Sequence, residues 1–174
     1  AVAADGGGNF VVSWISYGQD GSNWGVFAQR FHSTGVMAGS EFRVNSYTTS
    51  GQFISAAAAD GAGNFVVTWE GVGPTDSSGV SGRRFNAAGG AIGGEFQVNA
   101  YTTSSQSGTA IAADGSGNFV VTWQSGDQDG SGTAIIGRRV TTTVFDHGFE
   151  TNPPFWSDTT ATMCSGFCDS QSST

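Results

Sequence analysis

Ala4-Asp5-Gly6-Gly7-Gly8-Asn9-Phe10-Val11-Val12-Ser13-Trp14 is a segment that occurs three times in this chain with few changes, again at Ala59–Trp69 and at Ala113–Trp123. The copies follow one another at a period of about 54 residues, which is typical of proteins built from stacked supersecondary units. One unit of this size cannot cover its own apolar face, and its neighbours in the stack cover it instead. We therefore predict three tandem copies of one structural unit.

Two further motifs keep the same register and define the bounds of the repeats. Arg83-Arg84-Phe85 follows the second Trp, and Glu95-Phe96-Gln97-Val98-Asn99 repeats the pattern of Glu41-Phe42-Arg43-Val44-Asn45. The third copy has Arg138-Arg139-Val140 and then lacks the last motif. We divide the chain into three β-repeats over residues 1–140, at about 1–50, 51–104 and 105–140, and a C-terminal tail over 141–174.

Each complete copy is predicted to contain four short strands. In the second copy these are Phe53–Ala59, Asn64–Glu70, Gly79–Asn86 and Gly94–Tyr101. The first is small and apolar, as suits a crowded interior position, and the other three follow the period of two of a strand. Glycine interrupts every window long enough for helical periodicity. The sequence thus predicts an all-β chain of three four-stranded antiparallel repeats, shaped like propeller blades and followed by an irregular tail. A β-sandwich or a β-solenoid stack is the alternative.

Three sets of repeated residues are expected to have structural roles. An Asp at the start of each Gly-rich turn accepts hydrogen bonds from the backbone of that turn. A Trp at the end of the second strand belongs in the core, and an Arg in phase with it stacks on an aromatic ring or pairs with a carboxylate between blades. These residues are Asp5, Asp60 and Asp114; Trp14, Trp69 and Trp123; and Arg30, Arg84 and Arg139.

The composition restricts the class of partner and activity. Only 11% of the residues are charged, the net charge is −8, and there is no Lys. Nucleic-acid binding needs a continuous basic surface that displaces counterions from phosphates, so we exclude nucleic acid and anionic membranes as partners. No apolar run is long enough for a membrane span. We find no nucleophile elbow, phosphate loop or metalloprotease motif, and expect no enzyme activity and no cofactor.

The number of repeats predicts assembly. Propellers close with four to eight blades, so three blades are too few. The first copy starts partway through its first strand, and the third copy lacks its fourth. We therefore expect copies of the chain to complete one another, as a ring or as a head-to-tail filament, by blade stacking or by strand addition. The truncated start also suggests processing from a longer precursor.

The motifs Asp-Gly-x-Gly-Asn-Phe-Val-Val-x-Trp, Arg-Arg-Phe and Glu-Phe-x-Val-Asn resemble tandem repeats of very large secreted bacterial proteins, which are often adhesin-like or carry calcium-binding modules. The resemblance covers about residues 1–140 and implies an extracellular or cell-surface location. The tail, with Phe145–Glu150 and Phe155-Trp156-Ser157, resembles a Gly-Phe-Glu segment near the C-terminus of many secreted bacterial proteins. Its two cysteines, Cys164 and Cys168, are predicted to form a local disulfide.

Carboxylates on two Gly-rich loops are the candidate metal ligands. They belong to Asp127 and Asp129 in the third copy and to Asp20 in the first. Calcium prefers six to eight oxygen ligands, and loops of this kind supply carboxylate and carbonyl oxygens. The same composition is typical of solvated turns, so both interpretations stay open.

One loop of the first copy combines aromatic and short polar side chains. Tyr17 and Trp24 flank Asp20 and Asn23. Aromatic rings stack on the apolar faces of sugars while Asp and Asn bind the hydroxyl groups. Protein interfaces use the same residue types, so the loop is a candidate for either kind of contact.

These observations lead to one expected function and two alternatives. We expect an extracellular structural or adhesive β-repeat protein that packs repeat to repeat and chain to chain. The first alternative is a carbohydrate-binding propeller with glycan partners, and the second is a calcium-stiffened spacer of a larger adhesin.

Overall fold

The computed structural model describes residues 1–140, apart from the side chains of residues 54 and 55. The tail with the predicted disulfide lies outside the described residues. All the regular secondary structure in this range is β-strand. The described residues contain no helix that is long and apolar enough to cross a membrane. The strands are β1 (Val2–Ala4), β2 (Phe10–Tyr17), β3 (Trp24–Phe31), β4 (Phe42–Arg43), β5 (Gln52–Ala59), β6 (Phe65–Gly71), β7 (Gly79–Phe85), β8 (Ala91–Gln97), β9 (Gln106–Ala113), β10 (Phe119–Gly126) and β11 (Thr133–Val140).

The strands form three antiparallel sheets in which neighbours along the chain are also neighbours in the sheet. Blade 1 contains β1–β4, blade 2 contains β5–β8, and blade 3 contains β9–β11. The prediction of an all-β chain made of propeller-blade-like repeats is confirmed. As the sequence indicated, the first strand of blade 1 is short, and blade 3 has three strands within residues 1–140.

The fourth strand of blade 2 begins and ends earlier than the predicted range Gly94–Tyr101. It spans Ala91–Gln97, because the chain pairs with β7 again after an irregularity in register. It ends there because the side chain of Asn99 replaces the backbone as the hydrogen-bond acceptor for β7. The N–H of Val98 donates to the carbonyl of Val80 at 2.8 Å, and the side-chain oxygen of Asn99 accepts the N–H of Val80 at 2.8 Å.

The repeated Asp forms the first hairpin turn of each blade. Asp5 Oδ1 accepts the backbone N–H groups two and four residues along, at 2.8 and 2.9 Å, and Asp5 Oδ2 accepts the side-chain amide of Asn9 at 2.9 Å. Asp60 and Asp114 make the corresponding bonds. Gly8 has a φ of +79°, a conformation that a side chain disfavours. The three turns thus fix the same register at the start of every blade.

The hydrophobic core lies between the blades. The contact of blades 1 and 2 contains Val11, Val26, Ala28 and Val44 from blade 1 and Phe65, Val67, Trp69 and Phe85 from blade 2. The contact of blades 2 and 3 contains Val66, Val80 and Val98 from blade 2 and Phe119, Val121 and Trp123 from blade 3. The same two faces of the repeat therefore meet at both contacts, as the repeat pattern requires.

Candidate functional site

A buried asparagine fastens each complete blade to the strand that begins the next one. Asn45 Oδ1 accepts the N–H of Val26 at 2.8 Å. Its amide nitrogen donates to Asp20 Oδ2 at 3.0 Å and to Gln52 Oε1 at 3.1 Å. Asn45 and Gln52 are fully buried. We call this arrangement the Asn pin, because one side chain holds a loop, a strand edge and the next blade together.

Blade 2 carries a second Asn pin of the same geometry. Asn99 Oδ1 accepts the N–H of Val80 at 2.8 Å, and its amide nitrogen donates to Asp76 Oδ2 at 2.7 Å and to Gln106 Oε1 at 3.2 Å. Our reading of the sequence missed both pins. The signal was present, since in each case an Asn is followed seven residues later by a Gln.

Glycine leaves room for the pin carboxylate. A Cβ atom on Gly79 would lie 2.6 Å from Asp76 Oδ2, and one on Gly25 would lie 2.6 Å from Asp20 Oδ2. Strand pairing puts Ala134 at the corresponding position of blade 3. Asp129, the loop carboxylate of blade 3, therefore has no room at the position that Asp20 and Asp76 take in the other two blades.

The front face of the stack, on the side of blade 1 that is turned away from blade 2, is an apolar surface. It is formed by Phe10, Val12, Trp14 and Phe31, all partly exposed. Their counterparts in blade 2 are 2% exposed or less. Phe10 and Phe31 stack at 4.9 Å between centroids, as their counterparts do at 5.0 Å. An open hollow of about 510 Å³ lies beside Trp14. The front face is thus built like an interior contact.

At the other end of the stack, the outer edge of β11 has no partner strand among residues 1–140. β3 and β7 each pair with a fourth strand on this side, whereas β11 pairs with β10 alone among residues 1–140. Val26 and Val80 are fully buried, and Ile135, at the same position of the repeat, is 70% exposed. The backbone groups of such an edge are a template for a further strand.

The three Arg residues singled out from the sequence have different surroundings. The guanidinium of Arg84 lies 5.6 Å from the ring centroid of Phe119 in blade 3, and burial lowers the pKa of Arg84 while the charge of Asp60 opposes this. The guanidinium of Arg30 instead donates to the carbonyl of Ala87 in blade 2. Arg139 is exposed. Arg30 and Arg84 therefore both reach across to the next blade.

The first Arg of the Arg-Arg pair also reaches a neighbouring blade, in the opposite direction. Arg83 donates to the carbonyl of Val44 at 2.9 Å, and Arg138 donates to the carbonyl of Val98 at 2.8 Å. Both carbonyls belong to Val-Asn motifs of the preceding blade. Our interpretation of the sequence assigned no role to this first Arg, although it recurs in both copies. Gln29 takes its position in blade 1.

The aromatic loop of blade 1 remains open to solvent. Tyr17 is 69% exposed, and its ring meets that of Trp24 edge to face at 5.3 Å. Asn23 is exposed beside them. Asp20 is engaged in the fold, because one oxygen accepts the N–H of Ser22 at 3.1 Å and the other belongs to the Asn pin. The loop therefore offers two rings and one amide to a ligand, whereas its carboxylate is already bound.

The candidate calcium loop of blade 3 is an exposed turn. Asp127 has a φ of +57°, and Asp129 Oδ1 accepts the N–H of Ser131 at 3.1 Å. Within the described part of the chain, no three His, Cys, Asp or Glu side chains are grouped so that they could hold a metal ion. Asp20, the third candidate ligand, lies in blade 1 and serves the Asn pin.

The comparison with known proteins concerns the fold. No protein-family model and no curated protein matches the chain. Among solved structures, the chain is similar to an endo-arabinase from Bacteroides thetaiotaomicron, with a TM-score of 0.50 and 13% sequence identity. The match covers 80% of this chain and 54% of that one, so the chain spans about half the length of the arabinase. At this identity the similarity extends to the blade architecture and no further.

Proposed function

We propose that this chain is an extracellular structural repeat module, adhesive in its assembled form, that joins copies of itself head to tail. The observation that carries the proposal is the front face of blade 1. It presents, partly exposed, the same residue positions that blade 2 buries against blade 1. Contiguous apolar surface of this kind on a soluble domain is a common mark of an interaction site.

A second copy of the chain carries the complementary surface. Blade 1 meets blade 2 through Val11 and Val26, and blade 3 has Val120 and Ile135 at the corresponding positions. The rear of blade 3 in one copy can therefore meet the front face of blade 1 in the next, in the way that blades meet within the chain. A contact between two different surfaces of one molecule is heterologous and produces rings or filaments.

The oligomeric state tests this proposal. Light scattering during size-exclusion chromatography should give a mass above the 17.8 kDa of one chain, rising with protein concentration. Trp14→Ser should weaken association at least about tenfold, because it removes the central ring of the front face. The matched variant Tyr17→Ser alters an exposed ring at the end of β2 and should leave association unchanged. A single-chain mass at every concentration would refute the proposal, as would association that is insensitive to Trp14→Ser.

The extracellular and adhesive parts of the proposal rest on the resemblance to secreted bacterial repeats. They predict that the assembled protein, labelled with a fluorophore, binds to bacterial or host cell surfaces more strongly than the Trp14→Ser variant does. Equal binding of the two proteins would separate adhesion from assembly and would contradict this part of the proposal.

Carbohydrate binding is the second candidate, favoured by the exposed ring of Tyr17 and the partly exposed ring of Trp24 beside it. The fold is also similar to that of an endo-arabinase, a protein whose name denotes action on a carbohydrate. A glycan array should then give a saccharide signal that Tyr17→Ser removes and Trp14→Ser retains. Absence of a signal on the array would refute this candidate without affecting the assembly proposal.

A further inference from the structure

We infer that the outer edge of β11 binds an extended strand of the pattern Phe-x-Val-Asn, in the place that the fourth strand takes in the other blades. The interaction is main-chain strand addition. It differs from the face-to-face contact of the proposed function, since it involves the edge of a sheet and a peptide in extended conformation.

Blade 2 defines the register of this strand. Phe96 lies opposite Gly82, and the following Val-Asn bonds to both backbone groups of Val80. In blade 3 the counterparts of Gly82 and Val80 are Gly137 and Ile135. A bound strand should therefore set its Phe opposite Gly137. Its Val N–H should donate to the Ile135 carbonyl, and its Asn side chain should accept the Ile135 N–H.

Blade 1 repeats this register with its own residues. Phe42 lies opposite Ala28, and the N–H of Val44 donates to the carbonyl of Val26 at 2.8 Å. Asn45 accepts the N–H of Val26, as Asn99 does for Val80 in blade 2. Two blades of three thus bind the same sequence pattern in one geometry, which is why the occupant of the third edge can be specified.

Glycine at the position opposite Phe leaves blade 3 open for the ring. In blade 2, a Cβ atom on Gly82 would lie 2.9 Å from the Phe96 ring, so the ring rests directly against the backbone. Gly137 gives β11 the same flat surface.

One residue makes the edge of blade 3 weaker than its counterparts. Ala134 stands where Gly79 makes room for the pin carboxylate. The Asn of an added strand therefore relies on the backbone of Ile135 and forgoes the carboxylate bond. Ala134→Gly should restore room for Asp129 and tighten binding severalfold, because a hydrogen bond to a charged group is among the stronger ones.

The bound strand comes from a further copy of the repeat, outside residues 1–174. The nearest sequence in residues 141–174 is Phe149-Glu150-Thr151-Asn152, which has Thr in place of the Val that is fully buried in blades 1 and 2. The copies of the pattern in residues 1–140 are β4 and β8 with the residues that follow, and both are already paired. A further repeat unit therefore supplies the strand.

A peptide with the sequence of residues 93–101 tests the inference. The full chain is used with Trp14→Ser, so that head-to-tail association through the front face does not interfere. Hydrogen exchange followed by NMR should show the amides of Ile135 and Gly137 becoming protected. The amide of Ile136 should not change, since alternate residues point to β10. A peptide with Ala in place of its Asn should bind at least about fivefold more weakly.

Three outcomes would overturn the inference. The first is absence of binding at millimolar peptide, and the second is protection that spreads over the front face in place of β11. The third is an Ile135 amide already protected in the free chain, which would mean that the chain covers its own edge. Each leaves the head-to-tail proposal standing, because that proposal depends on Trp14.

Discussion

Replacing Trp69 by Ala should lower the free energy of unfolding by about 3–5 kcal/mol. Trp69 is 1% exposed and lies in the contact of blades 1 and 2. An indole side chain buries about 200 Å², and at about 25 cal/mol per Å² its full burial contributes about 5 kcal/mol. Ala retains the Cβ atom and the neighbours relax only in part, which gives the expected range.

Trp14→Ala is the matched control, because Trp14 has the same position in the repeat and lies on the front face. It is only partly buried. Urea unfolding followed by circular dichroism should give a loss at least about 1 kcal/mol smaller than for Trp69→Ala, when both are measured at concentrations where the chain is monomeric. Equal losses would refute the view that the preceding blade covers this position, as blade 1 covers Trp69 and no described blade covers Trp14. A loss below about 1 kcal/mol at Trp69 would refute its place in the core.

Other predictions concern the pin, its glycine and the Asp turns. Asn99→Leu should lower the free energy of unfolding by about 2–4 kcal/mol, because it leaves the N–H of Val80 and the carboxylate of Asp76 without their buried partner. Urea unfolding measures this loss, and a change within experimental error would contradict the role of the Asn pin. Gly79→Ala should cost about 1–3 kcal/mol in the same assay, because its Cβ meets the carboxylate at 2.6 Å, and full stability would contradict that contact. The hydrogen bond from the Asn of its own turn, with backbone N–H groups, holds the pKa of Asp114 below its ordinary value of 3.8. The ionised carboxylate therefore stabilises the fold above that pH, and this stabilisation is lost as the pH falls through the lower folded-state pKa. Asp114→Asn should make the free energy of unfolding fall less steeply as the solution is acidified. An unchanged dependence on pH in the acid range would refute this role of the carboxylate.

The strands and their faces could be predicted because they depend on local sequence. Phe65, Val67 and Trp69 alternate with Val66 and Thr68, and this period of two fixes which residues share a face of the strand. The early end of β8 could not be predicted, because it depends on the side chain of Asn99 bonding to a different strand. The Asn and Gln of each pin recur at constant spacing, yet only the stacking of blades brings them together.

By itself, the sequence determined the repeat, the all-β character and which residues share a face of each strand, since turns and alternation act over a few neighbouring residues. The tertiary structure decided which copies of a given residue are covered. Trp14 and Trp69 stand in almost identical segments, and Val80 and Ile135 occupy the same position of the blade, but their exposures differ. Burial depends on what packs from outside the segment, and the first and last blades each have one neighbour fewer within the described chain.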